Sequence, residues 1–157
     1  MDTEERDSFE AAFADLFRVA YRAAFRVTGD AAASEDAASE ALARAALRWR
    51  KVRDRALPWV VRVATNLAID DARARGRRSR VAVPDLDTDR IEVVADRVDL
   101  RRALSQLSDR QRDVVLLRYF GDLSEQQIAD ELGIAPGSVK SHASRGLATL
   151  RTLMEER

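Results

Sequence analysis

Cysteine is absent from this 157-residue chain, which excludes disulfide staples, zinc knuckles and thiol catalysis together. Glycine and proline are scarce, at 6 and 3 residues, too few for a sandwich or barrel built on many tight turns. Aromatic residues make up only 6%, while alanine and arginine are abundant, a composition that favours helix over sheet. No apolar run approaches the ~18 residues needed to span a bilayer. The first residues are acidic, whereas an export signal opens basic and then turns apolar. The expectation is a cytoplasmic protein with no signal peptide and no membrane insertion. Histidine occurs once, as His142, so a histidine-built zinc site is excluded as well. Hydrophobic residues at 46% suffice for a core in one ordinary domain or two small ones. Charged residues, at 34%, exceed the usual quarter.

Net charge is also lacking, with 27 basic and 27 acidic residues, but along the chain the distribution is acidic, basic, acidic and then balanced. Residues 1–45 hold ten acids and five arginines, and residues 46–80 hold eleven bases and three acids. Residues 81–99 hold six acids and two bases, and residues 100–157 hold nine bases and eight acids. A polyanion would feel the basic block at 46–80 and not the average. Plain solvated helices carry such blocks too, so the asymmetry alone favours nucleic acid only modestly.

Helical periodicity runs along most of the chain. Phe9, Phe13, Leu16, Phe17, Ala20, Ala24 and Val27 recur with the i, i+3, i+4, i+7 rhythm, and Gly29 stands where a C-terminal cap belongs. Ser34, followed by Glu35 and Asp36, reads as the N-cap of a second helix to about Arg50. Pro58 suits the first turn of a third, from Trp59 to about Arg75, with Gly76 and Arg77, Arg78 and Arg80 ending it. Residues 81–98, with Pro84, four aspartates and no sustained helical period, read as a tether between two helical domains. Beyond it, Leu100, Leu104 and Leu107 mark a short helix, and Ser108 caps the next, which carries Val114 to Tyr119 before Gly121. Ser124-Glu125-Gln126-Gln127 is a capping box, opening a helix that turns inward Ile128, Ala129 and Leu132. Gly133-Ile134 then leads to Pro136 and a last helix to about Glu155. The fold class expected is all-α: domains at 1–80 and 99–157 joined by a flexible linker at 81–98.

Ser124 to Leu147 has the arithmetic of a helix-turn-helix: two turns of helix, a short turn containing glycine, then a second helix. Val139, Ala143, Gly146, Leu147, Leu150 and Met154 share one face of that last helix. Ser138, Lys140, Ser141, Ser144 and Arg145 lie on or flank the other. Small donors with two cations suit a helix entering a major groove. The plain alternative is a helical hairpin with a solvated face.

Several stretches together resemble region 4 of bacterial RNA polymerase sigma factors, and most closely the extracytoplasmic-function (ECF) group. They are Leu107-Ser108-Asp109-Arg110-Gln111-Arg112, Leu116-Leu117-Arg118-Tyr119-Phe120, Leu123 to Ala129, and Gly137-Ser138-Val139-Lys140-Ser141. The N-terminal half resembles region 2, through Thr28-Gly29-Asp30 before Ser34-Glu35-Asp36, and Leu57-Pro58-Trp59 before Asn66-Leu67-Ala68-Ile69-Asp70. The resemblance implies core RNA polymerase and promoter DNA as partners and an anti-sigma factor as a third. It assigns −35 binding to Ser138, Lys140, Ser141, His142, Ser144 and Arg145, with His142 at the rim, nearer a phosphate than a base edge. Trp59, Arg62, Asn66 and Arg73 would hold the opened −10 strand; apolar platforms, amides and cations are what flipped bases need. Trp49 and Trp59 have an ordinary alternative as core residues. Asp36, Ser39, Glu40 and Leu42 would face the polymerase. The pattern departs from the group at Ser39, Leu42, Ala46 and His142.

Other classes fare worse. Glu35-Asp36 and Asp70-Asp71 would need further carboxylates one turn on to hold magnesium, and Ala74 and Arg75 stand there instead. No glycine-rich phosphate loop or nucleophile–base pair is present, so neither an enzyme nor a cofactor is expected. The serious competitor is a helix-turn-helix regulator that no longer engages polymerase; an exposed patch at Asp36, Ser39 and Glu40 would discriminate against it.

Overall fold

The computed structural model describes residues 1–78 and 88–156, with side chains for 1–71 and 97–156. Every regular element among them is helical. Helix α1, Thr3–Thr28, starts earlier than the apolar rhythm suggested, because Asp2 and Glu5 form a capping box. The Asp2 carboxylate accepts from the Glu5 N–H at 2.8 Å, and Glu5 accepts from the Asp2 N–H at 3.2 Å. Gly29 ends α1 in the left-handed region, at φ 64°, where a side chain would be strained.

Helix α2, Ala31–Leu47, is capped by Asp30 and not by Ser34. Asp30 is already extended after the glycine turn and accepts from the Ala33 N–H at 2.7 Å, so nothing delays three helix-forming alanines. Ser34 is buried in the first turn, its hydroxyl bonded to the Asp30 carbonyl at 2.6 Å. The expected run to Arg50 breaks at Arg48, and a short α3, Trp49–Val52, follows. Trp49 sets that break. Its indole donates to Ser8 Oγ at 3.2 Å and its ring meets Phe9 edge-on at 5.1 Å, drawing the chain back onto α1. One 3₁₀ turn, Arg53–Arg55, leads into α4, Ala56–Arg78, which runs past Gly76.

Alanines let α1, α2 and α4 approach closely, and Leu16, Leu42, Trp49, Val52, Trp59 and Val60 fill the space between them. Residues 79–87 of the chain lie outside the described residues, and with them the first part of the expected linker. Residues 88–98, which fall in the rest of it, form the first turns of α5, Thr88–Gln106. Leu100, Leu104 and Leu107 thus belong to a long helix and the turn after it. Ser108 caps α6, Asp109–Val115, as expected. Leu116–Phe120 then widens into a π-helical turn, closed by the Gly121 N–H on the Leu116 carbonyl at 3.0 Å. Helices α7, Glu125–Leu132, and α8, Pro136–Glu155, complete the chain.

The two helical parts do not stand apart. Ala24, Val27, Ala68 and Ile69 of the N-terminal part share one buried cluster with Leu104, Leu107, Leu116 and Leu150 of the C-terminal part. Ala23 and Val61 join a second with Val114, Leu117 and Ile128.

Candidate nucleic-acid interface

Ser124 accepts from the Gln127 N–H at 3.1 Å, and Gln127 returns a carbonyl oxygen to the Ser124 N–H at 3.0 Å. This box fixes the start of α7. Its end is fixed by Gly133 at φ 63°, after which the Ile134 N–H closes on the Ala129 carbonyl at 3.1 Å. Pro136 occupies the first turn of α8, where its missing N–H costs nothing. Inside the resulting angle, Ile128, Ala129, Leu132, Val139 and Ala143 are buried together. Gly146 is also required by packing: a Cβ there would lie 2.7 Å from Val115 Cγ2 on α6.

With that face spoken for, Lys140, Ser141, Ser144 and Arg145 are exposed, and Ser138 and His142 are half-buried at the edges. Lys140 Nζ lies 3.9 Å from Glu125 Oε1 while remaining 71% exposed, so it is held only loosely.

On α2, Asp36, Ser39 and Glu40 are exposed on one stripe, with Glu40 paired to Arg44 at 2.7 Å. Leu42 does not share it. It is 1% exposed and packs in the core, because the apolar positions of α2 face α1 and α4. On α4, Trp59 is 6% exposed within the same core, so the packing alternative describes its ring. Arg73 falls on α4, but its side chain is outside the described residues. Arg62 and Asn66 are half-buried, and both meet the C-terminal part. Asn66 Nδ2 donates to Asp113 Oδ1 at 3.0 Å, Arg112 Nε donates to Asn66 Oδ1 at 3.2 Å, and Arg62 Nη2 lies 2.8 Å from Glu131 Oε1.

Residues 97–150 match the family described as Sigma-70, region 4, and residues 12–78 match Sigma-70 region 2. The chain is 36% identical over 148 residues to the ECF RNA polymerase sigma factor SigL of Mycobacterium tuberculosis, across 88% of this chain and 84% of that one. This chain belongs to the ECF sigma factors. As a sigma factor it directs RNA polymerase to promoters, it is not an enzyme, and its α7–α8 unit lies in region 4, the DNA-binding part. It is also 35% identical over 141 residues to the RNA polymerase sigma-E factor of Streptomyces avermitilis, across 87% of this chain and 79% of that one. The fold matches that of the sigma factor RpoE from Bartonella quintana, solved with the anti-sigma factor NepR, at a TM-score of 0.53 and 23% identity. That match covers 95% of this sigma factor and 98% of RpoE.

Glu131, Asp113 and Arg112 are the residues that sequence reasoning passed over. Glu131 follows Ile128 by three positions and precedes Leu132, so a helical wheel sets it beside the apolar stripe. Its side chain has no exposed area, and loss of water pushes its carboxyl above the usual range despite the nearby Arg62 and Arg55. Among the described residues no helix is long and apolar enough to cross a membrane, and no cluster of metal-binding side chains occurs.

Proposed function

We propose that this sigma factor reads the −35 element as duplex with α8 and holds the opened −10 strand with α4. The exposed row Lys140, Ser141, Ser144 and Arg145, opposite the buried Val139, Ala143 and Gly146, carries this reading. Such a row has the small donors and cations that reach base edges and phosphates in a major groove. Ser138 and His142 flank it toward the backbone. Arg62, Asn66 and Arg73 would serve the single strand, with the division 1–80, 81–98 and 99–157 separating the two tasks. Asp36, Ser39 and Glu40 form the surface for core RNA polymerase. An anti-sigma factor, as RpoE has in NepR, would hold the protein in reserve, and the work belongs in the bacterial cytoplasm.

Transcription from purified core RNA polymerase tests the reading. Adding this chain should give promoter-specific transcripts and permanganate-reactive thymines at −10. Asn66→Ala should keep polymerase pull-down and lose most of that reactivity. Full reactivity in the variant would remove Asn66 from the strand-holding set.

A further inference from the structure

Helix α1 carries a row of aromatic side chains that the core uses only in part. Phe13, Phe17, Tyr21 and Phe25 follow one another at i+4, with ring centroids 6.1, 6.4 and 6.0 Å apart and planes within 20° of parallel. Phe17 and Tyr21 are half-buried against the core of the N-terminal part, whereas Phe13 remains 44% exposed. Arg97 of α5 lies over the Phe25 ring at 5.7 Å, so the chain itself covers that end of the row. The open stretch runs from Asp7 to Tyr21. Beside the aromatic row stands a second one, Glu10, Ala14 and Arg18, exposed along its whole length. Side chains four apart form such ridges, and the groove between two ridges is where another helix packs.

The order of charge along this face says what fits it. At about 100° per residue, Asp7, Glu10, Ala14, Arg18 and Tyr21 fall within about 80° of arc. The acids stand N-terminal to Ala14 and the donors C-terminal to it, at matching distances: Glu10 and Arg18 are four residues away, Asp7 and Tyr21 seven. A second α1 laid antiparallel across a two-fold axis at Ala14 sets Glu10 against Arg18 of the other copy, about 6 Å along the helix from the crossing. Asp7 then meets the Tyr21 hydroxyl of the other copy, about 10 Å from the crossing, and symmetry makes each pairing twice. Parallel pairing would instead set Glu10 on Glu10 and Arg18 on Arg18, which repel. Ala14, small and exposed, stands at the crossing, where a small side chain lets two helices approach. Arg18 pairs within its own helix with Asp15 at 2.7 Å, but both side chains are largely exposed and such pairs hold weakly.

We infer that α1 is a self-association surface, on which two copies of this chain pair antiparallel. The edge of Phe13, Phe17 and Tyr21 supplies the apolar contact, and the two Glu10–Arg18 pairs select the orientation. A single helix pair belongs among the small interfaces, below about 1,200 Å² in total, so the dimer is transient and forms as concentration rises. The exposed row of α8 has no part in it.

Analytical ultracentrifugation of the full chain from about 5 to about 500 μM tests this, a range suited to a weak pair. The average mass should climb from the 17.6 kDa of one chain toward twice that value. Glu10→Arg sets arginine against Arg18 of the other copy and should weaken association about tenfold or more. Arg18→Glu sets two acids together and should do the same. Mixed one to one, these two variants regain both complementary pairs and should associate as the unmodified chain does. Both positions are exposed, so neither change disturbs the core. Ala14→Lys, at a third exposed position, brings two ammonium groups to the axis and should leave monomers. A single chain at every concentration would overturn self-association. Association that survives Ala14→Lys, or a mixture no stronger than its separate components, would overturn the antiparallel pairing through α1.

Discussion

Arg145 and Lys140 share the exposed face of α8 but suit different tasks. A guanidinium forks onto a base edge, whereas a loosely held ammonium acts as a point charge near phosphate. Arg145→Ala should therefore weaken −35 duplex binding and relax preference at one base pair by about 1–3 kcal/mol. Lys140→Ala should weaken all sequences alike and flatten the salt dependence. Binding titrations on duplexes varied one base pair at a time, at several salt concentrations, separate the two. Glu131 makes a different prediction, about pH. Its carboxyl is raised by burial, against the pull of Arg62 and Arg55 and with the push of Asp113. The folded chain therefore takes up that proton more readily than the unfolded one, so the group's contribution to stability is fullest at low pH and is lost as pH rises through the raised value. Glu131→Gln should remove this share of the pH dependence of urea unfolding between the ordinary glutamate value of 4.5 and neutral. The burial of Leu42 was legible in the helical wheel of α2, since it falls in line with Ala38 and Ala45. Its assignment to the polymerase surface came from resemblance alone, and the core contact overrides it.

Caps were the most legible features at the level of the helix, because each is a local exchange of hydrogen bonds. Ser108, Ser124, Gly29 and Gly133 all cap where their neighbours say they should. Ser34 did not, since Asp30 offered an acceptor first. The break at Arg48 had no local signal, as it depends on Trp49 meeting Ser8 and Phe9 from a different helix. The start of α5 did carry a signal, since Ile91, Val94, Ala95 and Val98 have the i, i+3, i+4, i+7 spacing, but Pro84 and the aspartates around them argue locally for a loop. Two predictions belong here. Ser124→Ala removes the capping box of α7 and should cost about 1 kcal/mol in urea unfolding, with a matching loss of duplex affinity. Gly146→Ala gains helix propensity but drives a methyl into Val115; overpacking of about 1–3 kcal/mol should outweigh the gain of up to ~1 kcal/mol. A rise in stability for Gly146→Ala would mean that α6 and α8 yield easily.

Across the whole molecule, the sequence pattern identified two helical parts and the surfaces each carries, but not how they meet. The seam joins two apolar clusters to polar pairs drawn from α4, α6, α7 and the 3₁₀ turn, and such long-range contacts leave no period in the sequence. The surfaces themselves are separable. Asp36→Arg with Glu40→Arg should abolish capture of core RNA polymerase in a pull-down and leave −35 duplex affinity unchanged, since the altered stripe is on α2 and the reading helix is α8. Unchanged capture would move the polymerase contact elsewhere. Gly121 closes the π-helical turn directly against α4, and its absent side chain has a meaning for the history open to this protein. A single methyl at that position would come within 2.6 Å of Val61 Cγ1 and 2.9 Å of the Leu117 carbonyl oxygen. One base change in the glycine codon is therefore enough to strain both the π-helical turn and its contact with α4, and Val61→Ala would relieve only the second, because the Leu117 carbonyl stays in place. The join between the two helical parts is thus adjustable by mutation at positions that carry none of the proposed DNA or polymerase contacts.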